Sequence, residues 1–288
     1  MVPKLYPRRA VLSLTTRFCL PHEGMTTLDY LSSGSAVILH DSSSSSLSVA
    51  TCQHVACPWL FPRYFAATWD WLQFVNEDHV RHSLQLLAAV HTENSNETKP
   101  EVLLELPLAS QVYTHPSRDL ALLKLVDSDA IASWQAAAKE FQVQTLALDT
   151  APCKQGDDVV FLGHRQVNKE LEEGYQVPMT VAGHFVGRSS GGQAFARSQD
   201  LLEEGMCGGA VIRATTHECV GIVEGIVPIS TGEDDQEPPR HDRTAHEVWQ
   251  MRRALAGHVA LIPSHDVEEF MNEPGDLLLT GMEVPQFM

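Results

Sequence analysis

The sequence predicts an all-β protein built as two packed halves, and three observations carry the prediction. The chain has 288 residues and is 43% hydrophobic, enough for a sizeable core. From about residue 28, short apolar runs of strand length alternate with clusters of Gly, Pro, Ser, Asn and Asp, the pattern of strands joined by tight turns. Only two stretches read as helix, around residues 134–139 and 265–271, and no internal repeat is visible. The expected organisation is an N-terminal extension over residues 1–27, a first β half over 28–140 and a second over 141–288.

Taken in order, residues 1–22 carry Lys4, Arg8, Arg9 and Arg17 with no acid before Glu23. An Arg-rich, acid-free start resembles a mitochondrial transit peptide; the other reading is a frayed or strand-forming N-terminus in a cytosolic protein. Gly34-Ser35-Ala36-Val37-Ile38-Leu39 reads as a half-buried strand, Asp41 to Ser46 as a polar tip, and Leu47 to Val55 as the returning strand of a hairpin. Residues 57–80 form an aromatic-rich insertion with Trp59, Phe61, Trp69 and Trp71. Such an insertion either lines a cleft or covers a sheet face, and covering is the expected role. Leu84 to Val90 and Glu101 to Leu106 make a second hairpin around a polar tip at 91–100. A short helix over Trp134 to Lys139 joins the halves.

In the second half, Gly156-Asp157-Asp158-Val159 opens a strand after a tight turn, and Val177 to Val186 is the next strand, followed by a loop at 187–192. Val211-Ile212-Arg213 and Val220 to Val227 are two further strands. Residues 230–247 are polar, with Pro238-Pro239 among them, and read as a solvated insertion. His258 to Ser264 is the last strand and His265 to Met271 the closing helix.

One stretch carries chemistry. Glu204-Gly205-Met206-Cys207-Gly208-Gly209 sets a thiol among three glycines. Glycine accepts positive φ and close backbone approach, so the turn can aim amides at an oxyanion while presenting sulfur. A thiol nucleophile needs a base and a group to orient that base. His54, at the end of its strand-like run, is the candidate base. Asp119, opening the apolar run Leu120 to Leu125, is the candidate orienting group. Ala50-Thr51-Cys52-Gln53-His54-Val55, then Asp119-Leu120-Ala121-Leu122-Leu123-Lys124-Leu125, then Gly205-Met206-Cys207-Gly208-Gly209, in that order, resemble the chymotrypsin-like peptidases with cysteine in place of serine, as in picornaviral cysteine proteases. The segments Gly156 to His164 and His258 to Ser264 resemble HtrA-type members.

That resemblance implies a double β-barrel with a C-terminal helix and loop insertions, each half of the chain forming one barrel, and a chain that closes without room for a PDZ module. It implies a Cys207–His54–Asp119 triad and an oxyanion hole from the amides of Gly205 and Cys207. It implies that Glu224, Gly225 and Ile226 edge the substrate site and pair with extended peptide. Leu201 falls in the register of the pocket floor, which implies a small or apolar substrate side chain. Met206 stands where zymogen-type members place an aspartate for a newly cut N-terminus, so activation by that route is not expected. The alternative is a degenerate relative that keeps the fold as a binding module or complex subunit.

Composition narrows the rest. With 20 basic and 37 acidic side chains the formal net charge is −17, which argues against a nucleic-acid partner. No apolar run is long enough to span a bilayer, so no membrane association is expected; the expected partner is a protein or peptide substrate. The six cysteines do not reproduce a small secreted disulfide framework, and Val55 stands where extracellular relatives have a cystine partner. A reducing compartment, mitochondrial or cytoplasmic, is therefore expected. A zinc reading exists in Cys52-x-His54-x-x-Cys57 with Cys207 as fourth ligand, but the paired spacing of common zinc modules is missing. No cofactor or metal is expected.

Overall fold

The computed structural model describes residues 8–40, 47–62, 70–91, 98–126, 128–149, 151–167, 175–189, 192–229, 237–239 and 241–272. The expected tip at 41–46, Trp69, most of the tip at 91–100, and 230–236 lie outside them. The first half holds β1 (Val11–Phe18), β2 (Asp29–His40), β3 (Leu47–Thr51), β4 (Val80–His91), β5 (Thr98–Pro107), β6 (Tyr113–Thr114) and β7 (Ala121–Lys124). They form one seven-stranded sheet in the order β5-β4-β1-β2-β3-β7-β6. The sheet curls on itself: Leu108, just past β5, bridges Leu125, just past β7, and the Ala109 amide donates to the Lys124 carbonyl at 2.8 Å. That bridge closes the first barrel where the paired strands proper leave a seam.

The second half is a closed barrel in the order β10-β13-β12-β11-β8-β9. Its strands are β8 (Asp158–Val167), β9 (Tyr175–Arg188), β10 (Ala194–Ser198), β11 (Ala210–Arg213), β12 (Cys219–Ile226) and β13 (Val259–Pro263). The helices are α1 (Gln53–Ala56), α2 (Ser128–Phe141), α3 (Arg243–Leu255) and α4 (Ser264–Asn272). The two-barrel, mostly β architecture expected from the sequence is present.

Four elements differ from the sequence reading. Residues 11–18, expected within an N-terminal extension, are the strand between β2 and β4, so for them the strand-forming reading holds. Alternation explains why: Leu12 and Leu14 enter the core of the first half, while Ser13 faces the other half and donates to the Gln176 side chain at 2.5 Å. Helix α2 runs over fourteen residues rather than six, burying Ala130, Trp134 and Ala137. Part of the expected polar insertion is α3, a charged helix with no buried residue, capped by Asp242 accepting from the Ala245 amide at 3.0 Å. The strand β10 was not expected; its small residues Ala194 and Ala196 are buried between β9 and β13.

The aromatic insertion takes the covering role. Leu72 and Trp59 are buried, and the Trp71 ring stacks on Phe18 with centroids 4.6 Å apart, a contact worth about 0.5–1.5 kcal/mol beyond area burial. No helix among the described residues is long and apolar enough to cross a membrane.

Candidate active site

Strand register brings the imidazole and the carboxylate together. Thr51 of β3 pairs with Ala121 of β7. His54 lies just beyond the end of one strand and Asp119 just before the start of the other, so both leave the sheet at the same place. His54 is not on a strand, as the sequence suggested. Cys52 leaves β3 in an extended conformation and caps α1, and His54 rides on that single turn. Asp119 holds the turn twice: Oδ1 accepts from the His54 amide at 2.9 Å, and Oδ2 accepts from His54 Nδ1 at 2.5 Å. Because a carboxylate only accepts here, Nδ1 carries the hydrogen and the other ring nitrogen is left to face the cleft. Both side chains are about four-fifths buried, at 20% and 19% exposure.

Cys207 hydrogen-bonds the same imidazole from the second half. Burial works against protonating His54, but the hydrogen bonds and negative charge of Asp119 and Cys207 outweigh it and lift its pKa to about 10. The edge of the Phe61 ring faces the imidazole with centroids 6.2 Å apart, so one residue of the aromatic insertion also borders the cleft.

The thiol turn is pinned from the other barrel. The Ser35 amide of β2 donates to the Cys207 carbonyl at 2.9 Å, and Ser35 Oγ donates to the Gly205 carbonyl at 2.6 Å while accepting from the His164 amide at 2.9 Å. Gly208 shows why the turn needs glycine: its φ is +82°, and a Cβ there would lie 2.1 Å from the Ser35 carbonyl oxygen and 2.2 Å from Thr51 Oγ1. The amides of Met206, Gly208 and Gly209 donate to the carbonyls of Glu203, Val223 and Met206. Those of Gly205 and Cys207 donate to no backbone carbonyl among the described residues. Two alternate amides therefore stay available beside the sulfur, the requirement of an oxyanion hole. Met206 is 1% exposed and packs inside the second barrel, with no acid in its place to bind a chain terminus.

Glu224, Gly225 and Ile226 end β12. Gly225 and Ile226 pair with Ala260 and Val259 of β13, and Glu224 is bulged out at the register shift before them; β11 pairs with β12 only as far as Ile222, leaving an open edge toward the cleft among the described residues. Leu201 requires correction. It is 71% exposed, so it floors no pocket; Leu202, at 3%, is the neighbour that turns inward. Register inferred by counting back from the nucleophile fails because residues 199–207 form a coil, where side chains need not alternate.

Several contributors were not foreseen. The Glu224 carboxylate accepts from Gln193 Nε2 at 2.5 Å, and burial first, with Asp119 adding to it, raises its pKa. Arg118, next to Asp119, reaches Gln193 at 3.4 Å and pairs with Asp266 at 2.9 Å. The sequence signal for Arg118 was only adjacency, and Gln193 and Ser35 carried none. The zinc reading finds a different set of neighbours: ligand atoms of Cys52, His54 and Asp119 lie within 4.8 Å of one another, and Cys57 is not among them. These atoms are engaged elsewhere, His54 with Asp119 and Cys52 Sγ with the Val223 carbonyl at 3.1 Å.

No curated protein matches the chain. Among solved structures it is similar to the Rv3671c protease of M. tuberculosis: in the active form at 14% identity over 93% of this chain and 82% of that one, TM-score 0.45, and in an inactive form at 14% over 93% and 90%, TM-score 0.46. The model of the trypsin-like peptidase domain matches residues 34–222, a span that holds His54, Asp119 and Cys207, and the chain accordingly belongs to the trypsin-like peptidase domain family.

Proposed function

We propose that this trypsin-fold peptidase is a cysteine endopeptidase working through Cys207, His54 and Asp119. The single observation that carries the proposal is the imidazole hydrogen-bonded on one side to the Asp119 carboxylate and on the other to the Cys207 thiol. With its pKa near 10, His54 holds Cys207 as a thiolate–imidazolium pair; the sulfur attacks the scissile carbonyl and the imidazolium gives its proton to the leaving amine. Asp119 keeps Nδ1 protonated and stabilises the imidazolium. The tetrahedral oxyanion is held by the amides of Gly205 and Cys207, where losing one donor typically costs about 2.7–4 kcal/mol of barrier. Water then attacks the thioester with His54 as base.

The substrate is a protein or peptide in extended form. Its backbone adds to the open edge at Glu224, Gly225 and Ile226, where nothing lies within 4 Å of a Cβ built on Gly225. A reducing compartment, mitochondrial or cytoplasmic, fits, since all six cysteines are free.

The test is incubation with a diverse peptide library, reading new termini by mass spectrometry. Cleavage by the native chain, lost in Cys207→Ala and in His54→Ala, is the expected result. A folded protein that cleaves nothing would favour the binding-module alternative.

A further inference from the structure

Cys52 shares the surroundings of the candidate triad. Its sulfur lies within 4.8 Å of ligand atoms of both His54 and Asp119, and the Cys207 thiol hydrogen-bonds that same imidazole. The two sulfurs thus flank one ring. A second observation ties Cys52 to the thiol turn independently. The Val223 carbonyl accepts from Cys52 Sγ at 3.1 Å and from the Gly208 amide at 2.8 Å. The Gly208 nitrogen is bonded to the carbonyl carbon of Cys207, so the Cys52 sulfur and the peptide unit that follows the nucleophile share one acceptor. The four remaining cysteines have other surroundings: Cys19 bonds the Met25 carbonyl, Cys57 is buried at the end of α1, Cys219 bonds the Gly221 carbonyl, and Cys153 lines a cavity with Phe185 and Leu261.

We infer that Cys52 is a resolving thiol: when hydrogen peroxide oxidises Cys207, the two residues join in a reversible intramolecular disulfide that stops catalysis and shields the nucleophile from irreversible oxidation. The inference rests on the reading of Cys207 as the reactive thiol. Cys207 is partly exposed and Cys52 fully buried, so peroxide meets Cys207 first. Sulfur displaces one peroxide oxygen, giving Cys207 sulfenic acid and water. Cys52 then loses its proton to His54 as its sulfur attacks the Cys207 sulfur; the S–OH bond breaks and hydroxide leaves as water by taking a proton from the imidazolium. In sum two thiols and one peroxide give one disulfide and two waters, the thiols supplying the two electrons that reduce the peroxide. Forming the bond draws the Cys207 sulfur off the imidazole, which is why activity is lost. At rest, burial first and then the nearby Asp119 and Cys207 hold the Cys52 thiol protonated, so it does not compete for substrate.

The test uses the full chain. Labelling of untreated protein by a thiol-directed peptide electrophile is measured first. The protein is then treated with graded hydrogen peroxide, digested without reduction for peptide mapping, and a parallel sample is reduced with dithiothreitol and labelled again. The expected result is a Cys52–Cys207 linked peptide in the native chain and several-fold greater recovery of labelling after reduction than in Cys52→Ala or Cys52→Ser, which instead accumulate sulfinic and sulfonic Cys207. Two variants of different polarity guard against one of them failing to fold. Absence of the linked peptide, or equal recovery in native and variant chains, would overturn the inference. Should Cys207 go unlabelled even before oxidation, the peptidase reading itself fails; if it labels but no link forms, only the resolving role fails.

Discussion

The two barrels supply the candidate site in different ways. In the first, the imidazole and carboxylate come from neighbouring strands, Thr51 paired with Ala121, and the His54–Asp119 contact is complete within that half. In the second, the thiol sits on a turn whose carbonyls are bonded across the interface by Ser35. The base is therefore prebuilt locally, and the nucleophile is positioned by docking of one half on the other. Perturbing the interface should disturb sulfur and oxyanion amides while leaving the His54–Asp119 contact intact, and perturbing β3 or β7 should do the reverse.

The comparison can be broken most severely at the sulfur. Cys207→Ala should lower kcat for a cleavable peptide by on the order of 10⁶-fold, with an unchanged circular dichroism spectrum showing that both barrels still form. Next comes the local pair: Asp119→Asn should cost about 10⁴-fold in kcat and drop the His54 pKa well below its present value near 10, as read by imidazole NMR. Ser35→Ala sharpens the contrast. Loosening a turn by about an ångström costs roughly 10²-fold in rate, so kcat should fall by about that much, while the His54 titration loses only the part Cys207 supplies and keeps the part Asp119 supplies. A His54 titration moved as far in Ser35→Ala as in Asp119→Asn would show that the halves do not build the site separately.

The smallest effects are in stability against pH, and they separate the halves by sign. His54 has its folded pKa raised from 6.5 to about 10, so its contribution is complete below about pH 6.5 and is lost as pH rises through about 10. His164, buried at the interface beside Ser35, is lowered by burial from 6.5 to about 3. Its contribution is present above about pH 6.5 and is lost as pH falls toward 3. Denaturant midpoints measured across pH should show His54→Ala flattening only the alkaline limb and His164→Gln only the acid limb.

The same contrast explains what the sequence could reveal. His54 and Asp119 were legible because each adjoins a strand whose apolar run is plain, and Cys207 because three glycines around a thiol have few other uses. Strand β1 was obscured by Arg8 and Arg9 just before it, by Arg17 within it, and by Ser13, a polar residue that is buried only because another half lies against it. Helix α3 was hidden because it buries nothing and more than half of its residues are charged or polar. Ser35 and Gln193 were silent, and Cys52 was read only as a zinc ligand, because their roles come from groups more than one hundred residues away in sequence or across the interface. Leu201 misled because its surroundings are coil, where counting residues predicts no direction.

The central claim, that His54 activates Cys207, is tested most directly by the rate at which iodoacetamide alkylates Cys207 at neutral pH, with the partly exposed Cys19 and Cys153 in the same chain as internal standards. The account predicts that Cys207 reacts well ahead of both, and that His54→Ala brings its rate down to theirs. Equal rates for Cys207 in the native protein and in His54→Ala would contradict it.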